Sequence, residues 1–219
     1  MKQKLQEIRD QIDEVDQQLL DLLGKRAELV QKVGKLKTAL AERGNFIRSG
    51  REANMMKAIL AKGAGEFPKP ALFSIWRSII SASLAMEGGL KVAMLRSKSF
   101  HLHKLIVEYF GSFTDYMLCD TLEALLRIVD DKTVVVLSAH DDWWTKLPAD
   151  LKVFAKLHDE IYALARVTPE ETGEDKTVVV TDAELPDLIY SAQNGGKFLY
   201  EIEGFHTESK LGKVIGNYA

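Results

Sequence analysis

LQEIRDQIDEVDQQLLDLLGKRAELVQKVGKLK, residues 5–37, decides how the first part of this chain folds. Residues 3–43 contain no proline, and apolar side chains from Leu5, Ile8, Ile12 and Val15 through Leu36 and Leu40 recur at spacings of three, four or close multiples. That is the period of one amphipathic helix. Gly34 is a tolerated interruption, and Gly44-Asn45 supplies a stop. A helix of about 40 residues is roughly 60 Å long, more than the diameter of a small domain. Two short helices cannot cover such a stripe, so a second copy of the chain is expected to do so.

The same helix carries Arg9, Arg26 and Lys37. Arg26 and Lys37 are separated by about 20° around the axis and roughly 16 Å along it, so they share a face. Arg9 lies some 25 Å before Arg26 and about 100° around. It cannot easily serve the same pocket within one chain, but in an antiparallel dimer it reaches the partner's. Outward along the chain, a second helix is expected over about Ser49–Leu60, where Arg48, Arg51 and Glu52 share a face at i, i+3, i+4 spacing. AKGAGEFPKP, residues 61–70, reads as a loop. A third helix runs from about Pro70 to Met86, with Ser83 and Glu87 one turn apart and Gly88-Gly89 closing it. Cations gathered among apolar helices need an anion, because unpaired buried charge is costly. Arginine suits carboxylates through its planar fork. The implied ligand is a small, multiply negative molecule. By itself this charge pattern also fits a solvated helix face, with Glu52 pairing with Arg48 or Arg51.

Composition sets the outer bounds. The chain has 219 residues, 46% of them hydrophobic and 28% charged, as in ordinary globular proteins. Cys119 stands alone, which excludes an intramolecular disulfide and fits a reducing compartment. No stretch approaches the ~20 apolar residues of a membrane helix, and MKQKLQEIRD lacks a signal core, so a cytoplasmic location and no membrane partner are expected. The net charge of −3 conceals an asymmetry. Residues 1–89 carry 15 Lys and Arg against 11 Asp and Glu, and residues 90–219 carry 14 against 21. The basic half is where an anion belongs. Its positives are interleaved with acids and form no nucleic-acid motif, so no nucleic-acid partner is expected.

The order of these residues carries a resemblance. The opening I-R-x-x-I-D, the K-R-x-E-L-V-x-x-V-G-K-x-K run, FIRSGREANM and IWRSIISASLAMEG closely resemble the all-helical AroQ-type chorismate mutases, over essentially all of residues 3–89. The resemblance implies a three-helix domain that interlocks as a homodimer and rearranges chorismate to prephenate in phenylalanine and tyrosine biosynthesis, on the shikimate pathway. It implies that Arg9 is lent to the neighbouring subunit's site and that Arg26 binds a carboxylate. Lys37 contacts the breaking ether oxygen, Arg51 and Glu52 form the Arg-Glu pair whose glutamate accepts the substrate hydroxyl, and Ser83 lies near a carboxylate. Glu87 falls where many members carry glutamine. No metal or cofactor is implied, since the rearrangement is intramolecular and needs only a held conformer and stabilised charge. A carboxylate facing the ether oxygen must be protonated to donate, so activity is expected to fall as Glu87 ionises and Glu87→Gln to flatten that profile. The sequence departs from the family in a loop one residue longer before Arg51 and in having Arg48 or Ser49 where an aspartate is common. Arg48 is counted with Arg9, Arg51 and Ser83 among the substrate-binding residues, and Arg26, Lys37, Glu52 and Glu87 as the catalytic ones.

Beyond Gly89 the texture changes. KVAML (91–95), DYMLC (115–119) and TVVVLS (133–138) read as buried strands, with SFHLHKLIVEYF (99–110) and TLEALLRIV (121–129) as helices between them. That is a β-α-β-α-β unit with parallel strands. LKVFAKL, EIYALARV, KTVVVT and KFLYEIEG add strands, and AELPDLIYSAQN (183–194) reads as a helix. The fold class is therefore α followed by α/β, with residues 1–89 as the mutase domain and 90–219 as a two-lobed α/β domain. Through KVAML, EYFG, C-D-T-L-E-A-L-L and VVVLSAHDD this second part is similar to the prephenate dehydratase domain. It lacks that family's Gly-Thr-x-Ser, Glu-Asn-Ser and Thr-Arg-Phe motifs, which implies a noncatalytic or regulatory extension. His101 and His103 point some 200° apart on a helix and make no metal set. Asp141-Asp142-Trp143-Trp144 reads as a structured loop, and Cys119 as buried and inert. Two other functions use the same residues: an isochorismate pyruvate lyase on the same scaffold, and a noncatalytic binding protein.

Overall fold

The computed structural model describes residues 1–39 and 47–219, and the side chains of all of these except residues 37–39. Leu40 and the expected stop at Gly44-Asn45 lie outside the described residues, as does the side chain of Lys37. The chain divides into two compact units, Met1–Glu42 and Arg43–Ala219. The fold is helical at the N-terminus and continues into a large mixed-sheet domain.

The first unit is one helix, α1, Lys2–Ala39. Its apolar stripe is open in the single chain: Leu5, Ile8, Ile12, Val15 and Leu19 are each 51–54% exposed, and Leu22, Leu29 and Leu36 more so. A row of large aliphatic side chains at this exposure is far beyond the scattered apolar residues normal on a surface.

The second unit opens with α2, Ser49–Lys62, and α3, Lys69–Met86, close to the spans read from the sequence. Pro70 near the start of α3 meets no missing hydrogen bond there. The β-α-β-α-β unit is present as expected: β1 Lys91–Leu95, α4 Ser99–Phe110, β2 Asp115–Cys119, α5 Leu122–Arg127 and β3 Thr133–Ser138, with β1 parallel to both β2 and β3. α4 docks through Leu102, Ile106 and Phe110, one turn apart on one face. Thr121 caps α5 by accepting a hydrogen bond from Ala124 N–H at 3.1 Å.

β4 Lys152–His158, β5 Ile161–Ala165, β6 Lys176–Thr181, β7 Tyr190–Asn194, β8 Lys197–Glu203 and β9 Lys213–Tyr218 complete one sheet in the order β2-β1-β3-β5-β4-β9-β6-β8-β7. Strand alternation sorts the core into two layers. Val135 and Leu137 of β3 face one layer with Leu125, Trp143 and Tyr162, while Val134 and Val136 face the other with Leu102, Ile106 and Ile47. The sheet narrows at β4–β9, paired at Val153 and Gly216. A Cβ at Gly216 would lie 2.1 Å from the Val153 carbonyl oxygen, so the close approach requires glycine.

Three readings are corrected. Residues 183–194 are not a helix: Pro186 interrupts the segment, and Tyr190–Asn194 pairs antiparallel with β8 across Gly195-Gly196. Both glycines have positive φ (56° and 77°), the requirement of a tight hairpin turn, and that turn overrides the helical spacing. β9 was not expected. Cys119 is half-buried rather than buried. Desolvation and the neighbouring Asp120 nonetheless raise its thiol pKa, which keeps it protonated. Trp143 and Trp144 form a structured turn whose indole N–H groups donate to the Ser138 and Ala139 carbonyls at 2.8 and 2.7 Å, with Asp142 left-handed at φ 58°.

Candidate active site

The residues singled out from the sequence fall on three helices in two separate units. Arg9 is exposed on α1 and Arg26 half-buried, and Lys37 lies within the helix. In the second unit, Arg48, Arg51 and Glu52 gather at the N-terminus of α2, and Ser83 and Glu87 stand at the C-terminal end of α3.

The start of α2 is built around a carboxylate from far along the chain. Among the described residues, Arg48 at the N-cap makes no side-chain cap, so the first-turn N–H groups need an acceptor from elsewhere. Glu170 supplies one. Its Oε2 accepts from the Arg51 backbone N–H at 3.1 Å, and its Oε1 accepts from Arg48 Nη2 at 2.8 Å and Nε at 3.2 Å. A negative charge also suits the positive end of the helix dipole. Gly50 is buried against this residue, and a Cβ there would fall 2.5 Å from the Glu170 Cβ. A second ion pair, Lys57–Glu174 at 2.7 Å, ties α2 to the same loop.

Glu52 points the other way, to α3. Its Oε2 is 3.7 Å from Arg77 Nη1. Arg77 is 8% exposed, with its guanidinium carbon 4.2 Å from the Tyr109 ring centroid and 5.2 Å from that of Phe73. Burial raises the Tyr109 phenol pKa, opposed by the Arg77 charge. Sequence reading missed Arg77. Its signal was a lone cation inside the apolar run IWRSII, a position that only a paired or ring-stacked arginine tolerates. Glu52 thus contacts Arg77 on α3, and the carboxylate beside Arg48 is that of Glu170.

Ser83 is buried and its hydroxyl donates to the Ile79 carbonyl at 2.7 Å. Glu87 is half-buried at the C-cap of α3, its N–H bonded to the Ser83 carbonyl at 3.1 Å. Within the second unit, α2 and α3 with their caps carry the cations Arg48, Arg51 and Arg77 and the carboxylates Glu52 and Glu87. Among the described residues no cluster of three His, Cys, Asp or Glu could hold a metal ion.

Residues 8–88 match the family model for chorismate mutase type II. Over these residues the chain is similar to the type II chorismate mutases. The bifunctional chorismate mutase/prephenate dehydratase of Aquifex aeolicus (strain VF5) is 34% identical over 134 residues, covering 59% of this chain and 36% of that protein. The enzyme of the same description from Stutzerimonas stutzeri is 33% identical over 111 residues, covering 49% of this chain and 30% of that protein. The chain therefore spans about a third of the length of these relatives. A solved structure described as "GqqA- a novel type of quorum quenching acylases" aligns with a TM-score of 0.41 at 12% identity, over 58% of this chain and 94% of that one. Every site residue named from the sequence, Arg9 to Glu87, falls inside the mutase match. Among the described residues no helix is long and apolar enough to cross a membrane.

Proposed function

We propose that the protein is a chorismate mutase whose active form is an interlocked homodimer. The observation that carries this reading is the match of residues 8–88 to the mutase family, which contains all eight selected residues. The open apolar stripe of α1 supports the dimer: Ile12 and Leu19, each more than half exposed, are positioned to be covered by the equivalent helix of a second copy. The mutase domain comprises residues 1–89, three helices per chain. Residues 90–219 form a noncatalytic domain, and its two-lobed reading is supported by the narrow β4–β9 junction.

In the proposed mechanism the cations fold chorismate into its compact conformer by holding both carboxylates. Arg26 of one chain, Arg9 of the other, Arg51 and Arg48 bind them, with Ser83 beside one of them. Lys37 donates to the ether oxygen as charge develops there, with the Glu87 carboxyl group beside it, and Glu52 accepts from the substrate hydroxyl. Preorganised donors need no reorientation as the bond breaks, which is where such sites derive their rate. Loss of chorismate absorbance with formation of prephenate is the test. Arg26→Ala should abolish it. Conversion of isochorismate to salicylate instead would indicate the lyase, and inertness toward both a binding protein.

A further inference from the structure

We propose that Glu170, in the α/β domain, is a positioning residue for the mutase site. It fixes the first turn of α2 and thereby the direction in which Arg51 and Glu52 leave that helix. The inference rests on the mutase reading of those two residues.

Glu170 holds the Arg51 N–H with one oxygen and the Arg48 guanidinium with the other, so a single carboxylate grips α2 at two points one turn apart. Gly50 lets the backbone close onto it. The loop that carries Glu170 is itself stiff. Val167 sits in the core at its start. Asp175, 4% exposed, accepts from Thr172 N–H at 2.8 Å, Gly173 N–H at 3.0 Å and the Thr172 hydroxyl at 2.9 Å. Its backbone carbonyl takes the Gly204 N–H at 2.8 Å. Glu52, adjacent to the gripped residue, is fixed at its far end by Arg77, and Arg77 stacks on Tyr109 of α4. One side of the Arg51-Glu52 pair is therefore set directly by Glu170, which follows the mutase match in sequence, and the other by Arg77, inside the match, which rests in turn on Tyr109 beyond it.

Stability is a poor explanation for the Glu170 contact. The side chains of Arg48 and Glu170 are 47% and 34% exposed, and exposed pairs contribute little. Geometry is the better one, because misplacing a binding group by about 1 Å can cost as much as about a hundredfold in rate. On this account the α/β domain serves as a scaffold that aligns the mutase helices.

The experiment measures kcat and KM for chorismate in the full chain and in Glu170→Ala, Glu170→Gln and Lys57→Ala, with melting temperatures alongside. Turnover by the unaltered chain tests the mutase reading itself, before any variant is considered. Glu170→Ala is expected to lower kcat by about tenfold. Glu170→Gln, which keeps an acceptor for the Arg51 N–H but loses the ion pair, should recover part of that loss. Lys57→Ala, which removes only the neighbouring tether, should match the unaltered chain. Unchanged kcat and KM in Glu170→Ala would overturn the proposal, as would an equal loss in Lys57→Ala. Should Glu170→Ala not fold, Glu170→Gln decides: a kcat about two- to threefold lower, at an unchanged melting temperature, supports the role, and an unaltered kcat overturns it.

Discussion

Replacing Arg77 by methionine removes a charge while keeping most of the side-chain stem, and so isolates what the guanidinium does. Two rings lie against it, at 4.2 and 5.2 Å. Desolvated cation–π contacts of this kind are worth about 2 kcal/mol together. The Glu52 contact is long, 3.7 Å, and the Glu52 side chain is 22% exposed, so it adds about 1 kcal/mol rather than the several that a fully buried pair would lose. Working against these is Arg77 Nε, which is buried without a hydrogen-bond partner among the described residues. Relieving that desolvation returns about 1–2 kcal/mol. The net expectation for Arg77→Met is a destabilisation of about 1–2 kcal/mol by urea unfolding. A double-mutant cycle with Glu52→Gln should give a coupling of about 1 kcal/mol. Turnover should fall as well, because Glu52 loses the group that aims it. A methionine variant at least as stable as the original, with no coupling to Glu52, would refute the reasoning: Arg77 would then be a tolerated buried cation and not the anchor of Glu52.

Other predictions follow from separate parts of the molecule. Ile12→Glu or Leu19→Glu should dissociate the proposed dimer in sedimentation, because two copies of each side chain would leave its interface at about 1.5–3 kcal/mol apiece, at least about a hundredfold in association. Asp130 accepts from the Thr133 hydroxyl at 2.6 Å and the Lys132 N–H at 2.9 Å, which lower its pKa. Its contribution is present above the unfolded carboxyl value of about 4 and is lost as pH falls through the lower folded value. Asp130→Asn should therefore cost stability at pH 7 and progressively less toward pH 3, read from urea midpoints. Glu87→Gln, which keeps a hydrogen-bond donor at that position, should retain turnover while Glu87→Ala lowers kcat, and an unaltered kcat in Glu87→Ala would reject Glu87 as the donor to the ether oxygen.

Much of this architecture was legible because its signals are local. α1 announced itself through apolar spacing, and KVAML and TVVVLS through continuous buried runs of the kind parallel strands show. The errors arose where tertiary context overrode local pattern. In 183–194 the helical spacing was overridden by a glycine hairpin that binds Tyr190–Asn194 to β8. In β9, KVIGNY was unreadable because Gly216 and Asn217 break the strand signature. Yet Gly216 is there for the Val153 backbone, and Asn217 is buried and accepts from Thr177. In the candidate site the basic residues could be named from order and spacing. Their carboxylate partners could not: Glu170 lies 119 residues from Arg51, a separation that no periodicity spans.

The most direct test of the interlocked site mixes two dead variants. Arg9→Ala and Arg26→Ala should each abolish chorismate turnover as pure dimers. Unfolded together in equal amounts and refolded, about half of the dimers contain one chain of each kind. In those, one of the two sites draws an intact Arg26 from one chain and an intact Arg9 from the other. The account predicts recovery of about a quarter of the unaltered activity. A mixture that stays as inactive as its components, while sedimenting as folded dimers, would contradict it.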